Sequence, residues 1–187
     1  MTVKDILKLT STLLNRKDLI SFMDLGVADD YDLAKEDLTI LLSSYNIVLD
    51  EIATETLKLT YTELFKVDNG VLSYGEFKYN PISIISVKDK NGKEVECKIQ
   101  PTDIKLDQNE VVCEYYYSPN IKGLDDECEL CNVLVPKTAI AYGVATEFCL
   151  IKGMFEEGAT WHQKYVNSLQ KYIKPKKCRN LKCRKWL

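Results

Sequence analysis

Histidine is almost missing from this chain: His162 is the single one in 187 residues. That excludes a paired-histidine metal site and any proton relay that needs more than one imidazole. Glycine and proline are sparse, at eight and five residues, which excludes collagen-like and low-complexity chains. No glycine-rich phosphate loop of the P-loop or dinucleotide type occurs. No segment reads as a signal peptide, because the opening MTVKDILKLT is charged and holds no long apolar core. The longest apolar stretch, Thr138 to Phe155, contains Glu147 and Lys152 and reads as a buried helix, not a membrane span. The seven cysteines are an odd number without secretory context, so free thiols in a reducing compartment are expected.

What the chain does have is large rings and an uneven charge. Eleven tyrosines and five phenylalanines can bury enough surface to offset the entropy of ordering. The length suits one domain, or one domain with an insertion. The net charge is -3, but residues 174–187, KPKKCRNLKCRKWL, carry seven Lys and Arg and no acid. The remaining 18 basic and 28 acidic residues give 1–173 a net charge of -10. A body that acidic is a poor general nucleic-acid binder, whereas the basic tail suits an acidic partner or a phosphate backbone.

Periodicity predicts the elements. Thr2 caps a helix to about Arg16, with Asp5 as the acid of a capping box. Residues 17–31 read as a loop holding one short apolar piece, Leu19 to Met23. Asp32 is expected to cap a long helix over 32–57, in which Ala34, Leu38, Leu41, Tyr45, Val48 and Ile52 step by four and three. The period then changes to two. Strands are expected over Leu59–Val67, Val71–Phe77, Ile82–Val87, Val95–Ile99 and Val111–Tyr117, with Ile104 and Leu106 as a short edge. Asp68-Asn69-Gly70 and Asn91-Gly92 are the hairpin signals. The pattern reads as a meander-like antiparallel unit. An acidic loop over 118–135 precedes a helix from about Pro136, which carries the small residues Ala139, Ala141, Gly143 and Ala145. Gly153 and Gly158 mark its end and a turn, and a last helix is expected over Ala159–Ile173, stopped by Pro175.

These elements predict an α+β fold. About four helices, from 1–57 and 136–173, form a helical core. An antiparallel β-domain of five or six strands, 58–135, is inserted in it, and 174–187 form a basic docking tail. The small side chains Ala139, Gly143 and Ala145 let helix backbones approach closely, as an assembly surface or a core contact. In the tail, Lys176, Lys177, Arg179, Leu181, Arg184, Trp186 and Leu187 are the candidate partner-binding residues, because a basic segment that ends in Trp-Leu suits an acidic surface with an apolar slot.

Chemistry-bearing constellations are few. Cys128 and Cys131 form a CxxC that Cys178 and Cys183 could complete as a zinc site. The second spacing is wide for a knuckle, and reduced thiols are the expectation. Glu127 and Glu129 beside the CxxC disfavour a reactive thiolate. The acids at 125–129 lack EF-hand spacing and suit a solvated loop or a patch for a basic segment. Tyr115-Tyr116-Tyr117 could stack bases, but basic residues are scarce around them. Consecutive strand tyrosines more often pack one ring on the core and one on a partner. No catalytic residue, cofactor or metal is assigned.

The order of helices, β insertion, helices and charged tail resembles the adaptor, or head-tail connector, proteins of tailed bacteriophages. The residues that carry the resemblance are Val48-Leu-Asp-Glu-Ile-Ala-Thr-Glu55, Val71-Leu-Ser-Tyr-Gly-Glu-Phe77, Pro81-Ile-Ser-Ile-Ile-Ser-Val87, Val112-Cys-Glu-Tyr-Tyr-Tyr-Ser-Pro119 and Ala141-Tyr-Gly-Val-Ala-Thr-Glu-Phe-Cys149. Trp161 and Lys164-Tyr165 follow them. The resemblance covers about 30–173 and is one of order and texture. It implies a homo-oligomeric ring of about twelve copies beneath the portal protein, meeting a tail-side connector or terminator protein below. DNA passes through without specific recognition, and no membrane is involved. It implies assembly in the host cytoplasm, a place in the virion at the head-tail interface, docking of the tail on the portal, and no catalysis. The alternatives are a small binding module whose basic tail contacts nucleic acid, and a zinc-stapled domain.

Overall fold

The computed structural model describes residues 1–67, 69–128, 130 and 135–171. Its fold is α+β, with five α-helices and six strands among those residues. The first helix, α1 (Val3–Leu13), starts as its sequence predicts: Thr2 Oγ1 accepts from the Asp5 N–H, and the Asp5 carboxylate accepts from the Thr2 N–H. A reciprocal cap of this kind stabilises a helix start by about 1 kcal/mol.

Residues 17–31 do not remain a loop. Lys17–Leu25 form a second helix, α2, which ends at Gly26. Leu19 and Met23, four residues apart, bury on one side and hold it. The long helix, α3 (Tyr31–Glu51), is capped by Asp30 rather than Asp32, because the Asp30 carboxylate reaches the Leu33 N–H at 3.1 Å. Its expected final turns are π-helical over Ile52–Leu57 and end at Lys58 in the left-handed region.

The six strands are β1 (Thr60–Lys66), β2 (Val71–Ser73), β3 (Asn80–Lys88), β4 (Cys97–Ile99), β5 (Asp103–Leu106) and β6 (Glu110–Ser118). They are not a meander. One antiparallel sheet has the order β1-β6-β3 and the other β2-β5-β4. Facing each other as two layers, the sheets bury their inward apolar side chains in one shared core. The shared core holds Phe65, Val87, Val111, Cys113 and Tyr115 from the first sheet and Leu72, Ile104 and Leu106 from the second. Ile104 and Leu106 are therefore central rather than an edge: β5 has a neighbour on both sides. The chain leaves β1 at Val67 and turns through Asn69 and Gly70 into the other sheet, where Gly70 O accepts from the Leu106 N–H at 2.9 Å. The Asn91-Gly92 signal does make a tight turn, with the Asp89 carboxylate accepting from the N–H groups of Asn91 and Lys93.

After β6 the chain returns to the helices. Lys122 N–H donates to Asn46 Oδ1 at 2.8 Å, and the Val3 and Lys4 N–H groups donate to the Asp126 and Leu124 carbonyls. The acidic loop thus lies over the start of α1, and Cys128, Leu130 and Val135 join the helical core, not the β core. The helix α4 (Lys137–Ile151) follows Pro136, and α5 (Phe155–Gln170) starts earlier than the sequence predicts. Gly158 sits within α5, not in a turn, where it faces Cys149 and Leu150 of α4. Among the described residues, no helix is long and apolar enough to cross a membrane.

Candidate functional site

The helix α4 is the axis of the helical body. It packs against α5, α3 and α1, and Ala139, Ala141, Val144, Ala145 and Cys149 are all fully buried. A helix covered on every side is apolar all round, which accounts for the long apolar run. At Gly143 a Cβ would fall 2.8 Å from Val48 Cγ1 and 2.9 Å from Tyr165 Cε2. The close approach predicted from Ala139, Gly143 and Ala145 is therefore real, and it is made inside the subunit, between α4 and its own α3 and α5. As folded, these three side chains present no surface to a second copy, which corrects the assembly half of the sequence expectation.

An ionic network centred on the buried Asp37 locks the end of α4 to α3 and to the α1–α2 corner. The Asp37 carboxylate meets Arg16 Nη1 and Lys152 Nζ, Arg16 also holds Asp18, and Lys152 also holds Glu36 at 3.2 Å. The hydrogen bond to Asp18, more than its smaller one to Asp37, raises the Arg16 guanidinium further above its ordinary value, and the arginine depresses Asp18 in return.

A second charged region surrounds Tyr165. Its ring is buried, and burial first, then the neighbouring Glu51 carboxylate, pushes its hydroxyl up. Burial likewise raises Glu51, with Glu55 and Glu147 adding like charge and Tyr165 and His162 opposing the shift. His162 itself is exposed, and its ring lies 6.4 Å from that of Tyr165. Among the described residues, no group of three or more His, Cys, Asp or Glu side chains is placed to hold a metal ion.

The tyrosine strand divides its rings. Tyr115 is fully buried and its hydroxyl donates to Glu63 Oε2 at 3.1 Å. Tyr116, on the opposite face, is half-buried. Tyr117 stacks on Tyr79 with centroids 4.4 Å apart, Tyr61 meets both edge-on, and Lys78 Nζ lies 5.2 Å from the Tyr61 and Tyr79 ring centres. These aromatics hold one another and one lysine, and they do not form an open stacking platform. Cys128 is buried. Cys131, Cys178, Cys183 and Glu129 lie outside the described residues. So do the tail residues Lys176, Lys177, Arg179, Leu181, Arg184, Trp186 and Leu187.

The surface feature that sequence reasoning missed is one end of the helical body. Leu25, Val27, Tyr31 and Leu33, around the α2–α3 connection, are 46–76% exposed, and Ile151 and Phe155, at the α4–α5 turn, are 50% and 69% exposed. Reading 17–31 as a loop hid the signal. With α2 recognised, three large apolar residues remain between Met23 and Leu33 with no core to enter. Compared with known protein families and with characterised proteins, the chain matches none.

Proposed function

We propose that this chain is the adaptor subunit of a ring in the head-tail connector of a tailed bacteriophage. The observation that carries the reading is the layout. A helical body built around α4 has its own core, and a two-sheet unit with a second core is inserted between α3 and α4. Such a layout gives lateral packing to the helices and leaves a separate unit to meet the next component. About twelve copies would close the ring, as the portal's symmetry requires of a matching layer. An acidic body of net charge -10 repels phosphate, which lets DNA pass without being gripped. The work is mechanical: the ring seals the portal exit and offers a surface to the tail-side protein. It is assembled in the host cytoplasm and ends in the virion.

The test is native mass spectrometry of the full chain, alone and mixed with portal rings isolated from the virions that contain it. The expected result is a ring of about twelve copies that binds the portal and is found in purified particles. A chain that stays monomeric with the portal and is missing from those particles overturns the reading. The subunit is proposed to have no catalytic activity. A reproducible hydrolase or nuclease activity lost on Glu147→Gln or His162→Ala would count against that.

A further inference from the structure

The exposed apolar end of the helical body is also acidic. Asp29, Asp30 and Asp32 lie in and beside the α2–α3 connection and Glu156 and Glu157 open α5, whereas Asp24 is paired with Lys4 and Lys8 and Glu36 with Lys152. The two pieces belong to the same end, because Lys152 at the end of α4 reaches Glu36 in the second turn of α3. Between Asp18 and Ala34 there are four aspartates and no lysine or arginine. Large apolar groups that remain exposed beside an excess of negative charge mark a site for a partner of opposite charge.

One segment of this chain has that chemistry. Residues 174–187 carry seven positive charges and no acid, with Leu181, Trp186 and Leu187 among them. The charges match the acids, and the apolar side chains match Leu25, Val27, Tyr31 and Phe155. The segment leaves from the other end of the body: Lys171 and Asn167 of α5 line a cleft with Pro136 and Thr138 at the start of α4. Across the 15 residues of α4 that separates donor and receptor by about 22 Å. A donor at one end and a receptor at the other make a heterologous, head-to-tail contact, the kind that closes a ring.

We propose that residues 174–187 of one copy dock on the acidic apolar end of the helical body of the next copy, with Trp186 seated among Leu25, Val27, Tyr31 and Phe155. The placement between neighbours rests on the ring reading. The resemblance instead puts the segment's receptor on the portal, so the two receptors are separable by experiment.

The experiment mixes nitrogen-15-labelled and unlabelled full-length chain, lets it associate, and joins touching amine and carboxylate side chains with a zero-length carbodiimide. Mass spectrometry then reads which copy supplied each half. Expected are cross-links from Lys176, Lys177 and Lys185 to Asp29, Asp32 and Glu156, with the two halves from different copies. Cross-links only within one copy, or none from 174–187 to these acids, overturn the contact. Charge reversal gives an independent arm. Asp29→Lys with Asp32→Lys, both at exposed positions, should weaken self-association tenfold or more in sedimentation. Adding Lys176→Glu, Lys177→Glu and Arg184→Glu in the same chain should recover most of it. Unchanged association in the first variant, with the fold checked by its melting curve, overturns the proposal. A ring of about twelve copies without these cross-links sinks the contact and leaves the ring reading. The cross-links in an assembly that ignores the portal leave the contact and sink that reading.

Discussion

Lys152 Nζ lies 2.6 Å from Asp37 Oδ1, although only 1% of the Asp37 side chain is exposed. The contact is held by charge rather than by a well-aligned hydrogen bond. Arg16 Nη1 reaches the other oxygen, also at 2.6 Å. One carboxylate thus ties together the α1–α2 corner, the second turn of α3 and the cap of α4. Asp37→Ala leaves two cations facing each other over a buried space. The expected cost is about 3 kcal/mol, the low end for a broken buried pair, because Arg16 and Lys152 still reach solvent. Glu36→Gln, at an exposed partner of the same lysine, should cost less than about 1 kcal/mol. Urea unfolding of both variants checks the ranking, and equal effects would refute it.

At Gly143 the contacts leave no room for a side chain. Alanine improves helix propensity by about 1 kcal/mol, but its methyl would press on Val48 and Tyr165, two side chains fixed in the same core. Overpacking costs about 1–3 kcal/mol and should win. Gly143→Ala is expected to be destabilised, Gly143→Leu more so, and Gly143→Ala with Val48→Ala to recover part of the loss. Chemical denaturation of the three variants supplies the comparison; a Gly143→Leu protein as stable as the parent would show that the α3–α4–α5 contact gives way.

Gly70 and Gly92 separate conformational strain from close approach. Both have positive φ, +72° and +81°. A Cβ at Gly92 would meet nothing within 4 Å, whereas one at Gly70 would lie 2.7 Å from the Leu106 carbonyl oxygen. Both alanine variants carry the left-handed penalty of about 1–2 kcal/mol. Only Gly70→Ala must also move backbone in the central strand of the second sheet. It should be the less stable by at least about 1 kcal/mol, which thermal unfolding of the two variants measures.

Alkaline pH tests two of the buried thiols. Burial, with smaller contributions from Cys97 and Glu63, pushes the Cys113 thiol from 9.0 to about 12. Burial and then Glu157 push the Cys149 thiol from 9.0 to about 11. The folded chain keeps protons that the unfolded chain releases above pH 9. The stability linked to them is therefore complete below pH 9 and is lost as pH rises toward 11 and 12. Between pH 8 and 10 the unfolding free energy should fall by about 2 kcal/mol more in the parent than in Cys113→Ala with Cys149→Ala. In native labelling at pH 8, half-exposed Cys97 should react before either buried thiol.

The local features of the fold were legible because they depend on neighbours in the chain. Thr2 and Asp5 specify their cap within four residues, and Val111, Cys113 and Tyr115 specify the inner face of β6 by alternation alone. The α2 helix was not legible, since the apolar piece from Leu19 to Met23 is too short for its periodicity to separate helix from loop, and only the neighbouring helices make burying Leu19 and Met23 worthwhile. Of the candidate functional residues, the small side chains of α4 were visible as a close-packing surface. What they pack against was not. The exposed end around Tyr31 and Phe155 was invisible, because it joins segments more than 100 residues apart.

By itself the sequence determined the α+β class, the charge division between body and basic segment, the cap of the first helix and the Asn91-Gly92 turn. Each of these follows from composition or from interactions a few residues long. Tertiary structure alone decided that β1 pairs with β6 rather than β2, that Ile104 lies at the centre of a sheet, that Gly143 faces its own Tyr165, and that Asp37 sits between two cations. Strand order and helix contacts depend on which apolar faces can be buried together. That is a property of the whole chain in three dimensions, and no window of the sequence contains it.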